Sequence, residues 1–175
     1  SIESPEEYGG AGSTIFNAIL AIEELARVDA SVSVFVDVHN TLVTNAFMRW
    51  ANDEQKKKYL PKLTTGEWKA AYCLTEPGSG SDANSGKTKA ILSPDGKHYV
   101  INGQKMWITN AGFADVFVVF AKIDNDENLS AFIVERSFPG ISFNPEEHKM
   151  GIKGSSTRQI FFSDCKVPVE NLLSE

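Results

Sequence analysis

The sequence is poor in the residues that build metal and disulfide sites. Its 175 residues hold two cysteines, Cys73 and Cys165, and three histidines, His39, His98 and His148. No CxxC pair occurs and no spacing matches a zinc-ligand pattern, so neither a structural metal nor a disulfide framework is expected. So few cysteines fit a reducing compartment. No apolar run is long enough to cross a bilayer, and no charged-then-apolar leader opens the chain, so no transmembrane segment is expected. The lack of an initiator Met and the abrupt ends suggest a piece of a longer protein. A basic excess is missing too: 17 Lys and Arg stand against 23 Asp and Glu, a net charge of -6, which excludes a general electrostatic footprint for nucleic acid. The run Lys56-Lys57-Lys58 follows acidic residues and reads as the solvated end of a helix. There is no internal repeat and no low-complexity segment.

What is present is ordinary globular material, 42% hydrophobic and 23% charged, enough for one or two domains with a substantial core. The pattern changes near residue 66. Before it, apolar residues recur at helical spacing; after it, they alternate or form short β-branched runs. Ser13 can cap a helix over 14–28, in which Ile15, Ile19, Ile22 and Leu25 or Ala26 share a stripe. Asp29-Ala30-Ser31 breaks and restarts the pattern. Residues 32–50 alternate like a strand at Val32, Val34, Val36 and Val38, but the run is too long for one and is read as a buried helix. Asn52 or Asp53 caps a helix through Lys58, and Pro61 starts another turn. Strands are expected over 68–75, 87–93, 98–101, 105–109, 116–123, 130–135 and 159–164. Asn102-Gly103 carries the signature of a hairpin turn between two of them. No crossover helices intervene, so the fold class is α+β: helices followed by a mainly antiparallel barrel or sandwich. A further helix is expected to start at Pro168 and run through the apolar 169–173.

Two stretches could carry chemistry. Tyr72-Cys73-Leu74-Thr75-Glu76-Pro77-Gly78-Ser79-Gly80-Ser81-Asp82 is a strand running into a loop whose glycines permit unusual backbone angles and close approach of a ligand. Its hydroxyls and successive amides suit an anion. It matches neither the phosphate loop nor GxGxxG, and from these residues alone it is either a plain turn or a ligand loop. The second stretch, Asn102-Gly103-Gln104-Lys105-Met106-Trp107-Ile108-Thr109-Asn110, puts Trp107 and Thr109 on one strand face and Ile108 on the other. An indole beside a hydroxyl suits a flat ligand with a polar edge; a core Trp beside a satisfied Thr is the alternative.

Together these stretches resemble the acyl-CoA dehydrogenase family. Cys73 through Asp82 match its first signature and Trp107-Ile108-Thr109 its second flavin segment. Tyr8-Gly9-Gly10-Ala11-Gly12, Ile22-Glu23-Glu24-Leu25-Ala26 and Lys58-Tyr59-Leu60-Pro61-Lys62-Leu63 look like its N-terminal helical half. Lys149-Met150-Gly151-Ile152-Lys153-Gly154-Ser155-Ser156-Thr157 looks like the exit from its β domain. The resemblance implies a partial helical domain over 1–66, a middle β domain over 67–168 and the start of a C-terminal helical domain over 169–175.

It also implies FAD as cofactor, lined by Tyr72, Cys73, Leu74, Thr75, Glu76, Pro77, Gly78, Ser79, Gly80 and Ser81, with Thr75 near the pyrimidine edge. Ser81 contacts phosphate and the acyl-CoA; Trp107 packs beside the isoalloxazine, Ile108 accompanies it, and Thr109 bonds near N5. The implied reaction removes the α-proton and transfers hydride from the β-carbon to N5, giving a 2,3-enoyl-CoA. Electrons then pass to electron-transfer flavoprotein. The family's base is a glutamate expected beyond Glu175, so no residue here is assigned as catalytic; Glu76 belongs to the loop. The full protein is expected to be a homotetramer, in the mitochondrial matrix of a eukaryote or the cytoplasm of a bacterium. An acyl-CoA oxidase-like enzyme and a non-catalytic flavin- or acyl-CoA-binding relative are the alternatives.

Overall fold

The computed structural model describes residues 1–173. Thr14, not Ser13, caps α1 (Ile15–Val28): its side-chain oxygen accepts the Asn17 amide at 3.3 Å, while Ser13 takes the Asn17 side chain instead. The apolar stripe of α1 is open. Ala18 is its one buried residue, whereas Ile15 and Ile19 are about half exposed. Asp29 starts α2 (Ala30–Asp37) by accepting the Ser31 amide at 2.7 Å.

Residues 30–50 are helical throughout, as the length of the run requires, but the middle is a π-helix over Val38–Thr44, followed by α3 (Asn45–Trp50). Side chains that bond back to the ladder accompany the widening: Asn40 donates to the Val36 carbonyl, Thr41 to Asp37 and Thr44 to His39,. The valine alternation yields here because His39, Val43 and Phe47 recur every fourth residue and are buried,. α4 (Asp53–Thr64) opens on a capping box between Asn52 and Gln55. Pro61 lies inside α4 rather than beginning a new turn. It forfeits one ladder bond, and the buried Leu60 and Leu63 keep the helix in place,.

Eight strands follow among the described residues: β1 (Ala70–Cys73), β2 (Lys89–Leu92), β3 (His98–Thr109), β4 (Val116–Ile123), β5 (Ser130–Glu135), β6 (Ile141–Phe143), β7 (Thr157–Pro168) and β8 (Leu172–Leu173). The order is β6-β7-β3-β2-β4-β5-β8, with β1 beside β4. The β1–β4 and β2–β4 pairs are parallel and the rest antiparallel. Phe117, Val119 and Ala121 of β4 face the core enclosed by the strands, while Val116 and Val118 face Val43, Phe47, Tyr59 and Leu63 of the helices. Burial on both faces explains why β4 is an unbroken apolar run.

Asn102-Gly103 is not a hairpin. β3 runs straight through it, paired along its length with β7, and the register slips between Ile101 and Gly103 as a bulge,. Gly103 sits at φ 151 with Thr88 so near that a Cβ would lie 2.5 Å from its Oγ1. Asn102 bonds reciprocally to Asp164 of β7. The true hairpin is the Pro94-Asp95-Gly96 turn joining β2 to β3.

The helix expected from residue 169 is a single turn, Val169–Asn171, and then β8 pairs with β5. Asn171 donates to the Ile133 carbonyl, and Gln55 of α4 donates to the carbonyls of Glu170 and Leu172. These bonds hold the segment extended against the sheet. Residues 174 and 175, the end of the expected C-terminal domain start over 169–175, lie outside the described residues.

Candidate functional site

The site is built where β1 ends and β3 bulges. Lys105 pairs with Ile160 and Ile108 with Arg158, so Met106 and Trp107 together oppose one residue of β7. Trp107 takes φ 57, which turns its indole outward to 63% exposure, while Ile108 returns to the core. The core-Trp alternative is thereby excluded. Thr109, half-buried, follows on the same strand.

The bulge is joined to the glycine-rich loop. Met106 donates its amide to the Thr75 carbonyl at 2.8 Å. Lys105 donates its ammonium to the Leu74 carbonyl at 3.1 Å and to Glu76 Oε1 at 2.8 Å. Glu76 also accepts the amides of Lys87 and Thr88. Burial alone would raise the Glu76 carboxyl, but hydrogen bonds from Lys105, Thr88 and Lys87 hold it below the usual range,. Burial draws the Lys105 ammonium below its ordinary value, opposed by Glu76. Glu76 is therefore an ionised internal brace, not a free base.

Glu76 and Ser79 exchange both main-chain hydrogen bonds, closing a tight turn, and the Ser79 hydroxyl donates to the carbonyls of Asp82 and Ala83. Pro77, Gly78, Gly80 and Ser81 are exposed. Neither Gly78 nor Gly80 has a positive φ, and a Cβ at either would meet nothing within 4 Å. The expectation of unusual angles at these glycines is thus not met. What they provide is a bare outer surface over the main chain. Beneath the loop lies a cleft of about 260 Å³, lined by Gly78, Lys87, Thr88 and Gln104 among others.

Not every expected residue offers its side chain. Cys73 and Ile108 point into the sheet core, leaving only their main chain to a ligand. Burial pushes the Cys73 thiol up to about 12, so it is no nucleophile,. Tyr72 faces the helices, with its ring 4.9 Å from that of Phe120 and beside a groove bordered by Leu42, Arg49 and Trp50. Two residues were not singled out from sequence. Lys105 is wholly buried; strict alternation sets it with Trp107 and Thr109, opposite Ile108, and only the bulge brings it into the inward row. Asn110, also buried, takes φ 70, donates its side chain to the Ala70 carbonyl and bonds through its amide to Ser156. Among the described residues no His, Cys, Asp and Glu cluster could hold a metal ion. None of their helices is long and apolar enough to cross a membrane.

An exposed indole, a neighbouring hydroxyl and a bare glycine-rich main chain suit an extended ligand with a flat ring and an anionic part. Comparison with known proteins gives the family. The model of the acyl-CoA dehydrogenase middle domain matches residues 71–165, and that of the N-terminal domain matches residues 1–67. A probable acyl-CoA dehydrogenase of Bacillus subtilis (strain 168) is 54% identical over 171 residues, which cover 98% of this chain and 28% of the relative. The very long-chain specific mitochondrial acyl-CoA dehydrogenase of Homo sapiens is 43% identical over 182 residues, covering 99% and 28%. The crystal structure of an acyl-CoA dehydrogenase complexed with FAD from Bacillus anthracis superposes with a TM-score of 0.94 at 52% identity, covering 99% of this chain and 29% of that one. The chain thus spans less than a third of the length of these relatives.

Proposed function

Since the chain belongs to the acyl-CoA dehydrogenase family, we propose that it carries the flavin-binding portion of an FAD-dependent enzyme converting a fatty acyl-CoA to its 2,3-enoyl-CoA. The observation that supports this most is the junction of bulge and loop, which sets an outward indole beside a glycine-rich main chain. FAD fits those residues. Trp107 and Thr109 would hold the ring system, Thr75, just past β1 and tied to Met106, would lie near it, and Gly78, Gly80 and Ser81 would offer room and amides for phosphate. Ser81, exposed at the loop's edge, also meets the acyl-CoA. Cys73 and Ile108 take part through their main chain. Glu76 serves from inside.

When bound, FAD supplies the two-electron acceptor for the dehydrogenation. A base must remove the α-proton. Glu76 is engaged by three N–H donors, and Glu135 accepts from Lys58 and Tyr59. As membership of the family implies, the reading assigns the base to a glutamate outside these residues, and electron-transfer flavoprotein as the acceptor of the electrons.

The test is an anaerobic titration of the FAD-loaded full-length protein with acyl-CoAs of graded chain length, followed by flavin absorbance. Bleaching with one length class is expected. Bound FAD that never bleaches would point to a non-catalytic relative, and oxygen uptake with no other acceptor would point to an oxidase.

A further inference from the structure

Lys105 stands where the sheet calls for an apolar side chain. It lies in the inward row of β3 between Ile101 and Ile108, and like Ile101 it is 0% exposed. Taking an ammonium out of water is offset only by excellent partners, and an apolar side chain of similar volume often serves a fold equally well or better. The partners here are unusually well placed. Lys105 and Glu76 meet at 2.8 Å with side-chain exposures of 0% and 6%. The same ammonium holds the Leu74 carbonyl, and the next residue along, Met106, holds the Thr75 carbonyl. Glu76 then extends the tie to the Lys87 amide at 2.6 Å and the Thr88 amide at 3.0 Å. Three consecutive residues leaving β1 are fixed to two consecutive residues of β3 and to the approach to β2.

Resting on the flavin reading above, we propose that Lys105 and Glu76 are positioning residues: their buried pair locks the glycine-rich loop to the Trp107 bulge and so presents Thr75 and the loop main chain to the cofactor. Both charges are consumed within the pair and its main-chain partners, which leaves neither as a catalytic group. The geometry also explains why Glu76 must be charged. A neutral carboxamide of the same shape turns a donor toward one of the N–H groups that the carboxylate accepts.

The full-length protein with Lys105→Met and with Lys105→Met/Glu76→Gln separates positioning from plain core stability. The single variant strands a buried carboxylate and melts earlier than the parent. The double variant removes that charge and regains part of the thermal midpoint, its carboxamide still facing one N–H donor of Lys87 or Thr88 with an N–H of its own,. If the pair positions the loop, both variants still bind FAD at least tenfold more weakly, with an altered visible circular dichroism of the flavin. In both, amide hydrogen exchange at Met106, Lys87 and Thr88 quickens at least tenfold, while Val118 and Val119 of β4 keep their protection. If the double variant recovers the parent's FAD affinity, flavin signal and exchange rates together with its stability, the pair is only a core ion pair and the inference fails. A parent that binds no FAD sinks the flavin reading instead, and the three amides then decide the pair's locking role by themselves.

Discussion

Gly103 and Gly78 border the same cleft, yet they are glycines for opposite reasons. At Gly103 the neighbour is inside the chain: a Cβ would lie 2.5 Å from Thr88 Oγ1 and 2.8 Å from Thr88 Cα. Gly103→Ala is expected to lower stability by about 1–3 kcal/mol, the usual range for overpacking a tight site, read from urea unfolding. At Gly78 nothing in the chain lies within 4 Å of an added Cβ. Gly78→Ala should leave stability within about 0.5 kcal/mol of the parent, as for most surface changes. Under the flavin reading it should nevertheless weaken FAD binding in a fluorescence titration, because the added methyl occupies the approach to the main chain. Unchanged affinity would mean that no ligand comes that close. Sequence alone marked Gly103 as a hairpin-turn glycine and left Gly78 in either a plain turn or a ligand loop, since composition carries no record of what stands on the other side of a backbone.

The helical run of 30–50 shows what an element adds. His39, in its π-helical segment, accepts the Ala70 amide on Nδ1 at 3.2 Å and bonds through Nε2 to the Leu63 carbonyl at 2.8 Å. The neutral ring with its proton on Nε2 satisfies both, and so pins the π-helix to the end of α4 and the start of β1. A second proton would set Nδ1–H against the Ala70 N–H. Burial, the largest influence, lowers the His39 pKa, and the nearby Lys69 acts in the same direction, against the Leu63 bond. The unfolded chain therefore binds this proton more readily than the folded one, and stability rises with pH. The contribution is complete above the unfolded value of about 6.5 and is lost progressively as pH falls below it. Urea midpoints measured from pH 7.5 to 5.0 should show this decline, and His39→Gln should flatten it. An undiminished slope in the variant would locate the titrating group elsewhere. At the start of α4, Asn52→Ala breaks the capping box and should cost about 1 kcal/mol, read by the same unfolding.

Across the whole molecule, two features concern how the helices and sheet are presented. Gln55 donates from α4 to the carbonyls of both Glu170 and Leu172, tying the helices to the last strand. Gln55→Ala leaves both carbonyls without that donor and should cost roughly 1–3 kcal/mol, together with faster exchange in β8. The second feature is the open face of α1, where Phe16 is 64% and Ile19 52% exposed. A contiguous apolar face of this kind is an association liability in an isolated chain. The 175-residue chain should bind an apolar dye and self-associate in sedimentation. Phe16→Glu should reduce both while shifting stability by no more than about 0.5 kcal/mol. A large loss of stability would show that Phe16 is part of the chain's own core.

At this scale the division between sequence and structure is clear. Helical spacing placed α1, alternation and β-branched runs placed the spans of β4 and β5, and length decided the helix over 32–50 against its valine alternation, all of them local properties of the chain. The loop and Trp107 stretches were also legible, because their residue types are unusual side by side. The rest depended on contacts between distant parts of the chain. Asn102-Gly103 has the composition of a hairpin and became a bulge because β7, more than fifty residues away, pairs with both halves of β3. Residues 169–173 suited a helix and became a turn and a strand because Gln55 and Asn171 supply their hydrogen bonds. Glu76 stood in plain view in the motif, but its role was set by Lys105, Lys87 and Thr88. Local pattern settles which backbone conformations a segment favours; burial and hydrogen-bond partners, which only the assembled fold supplies, decide among them.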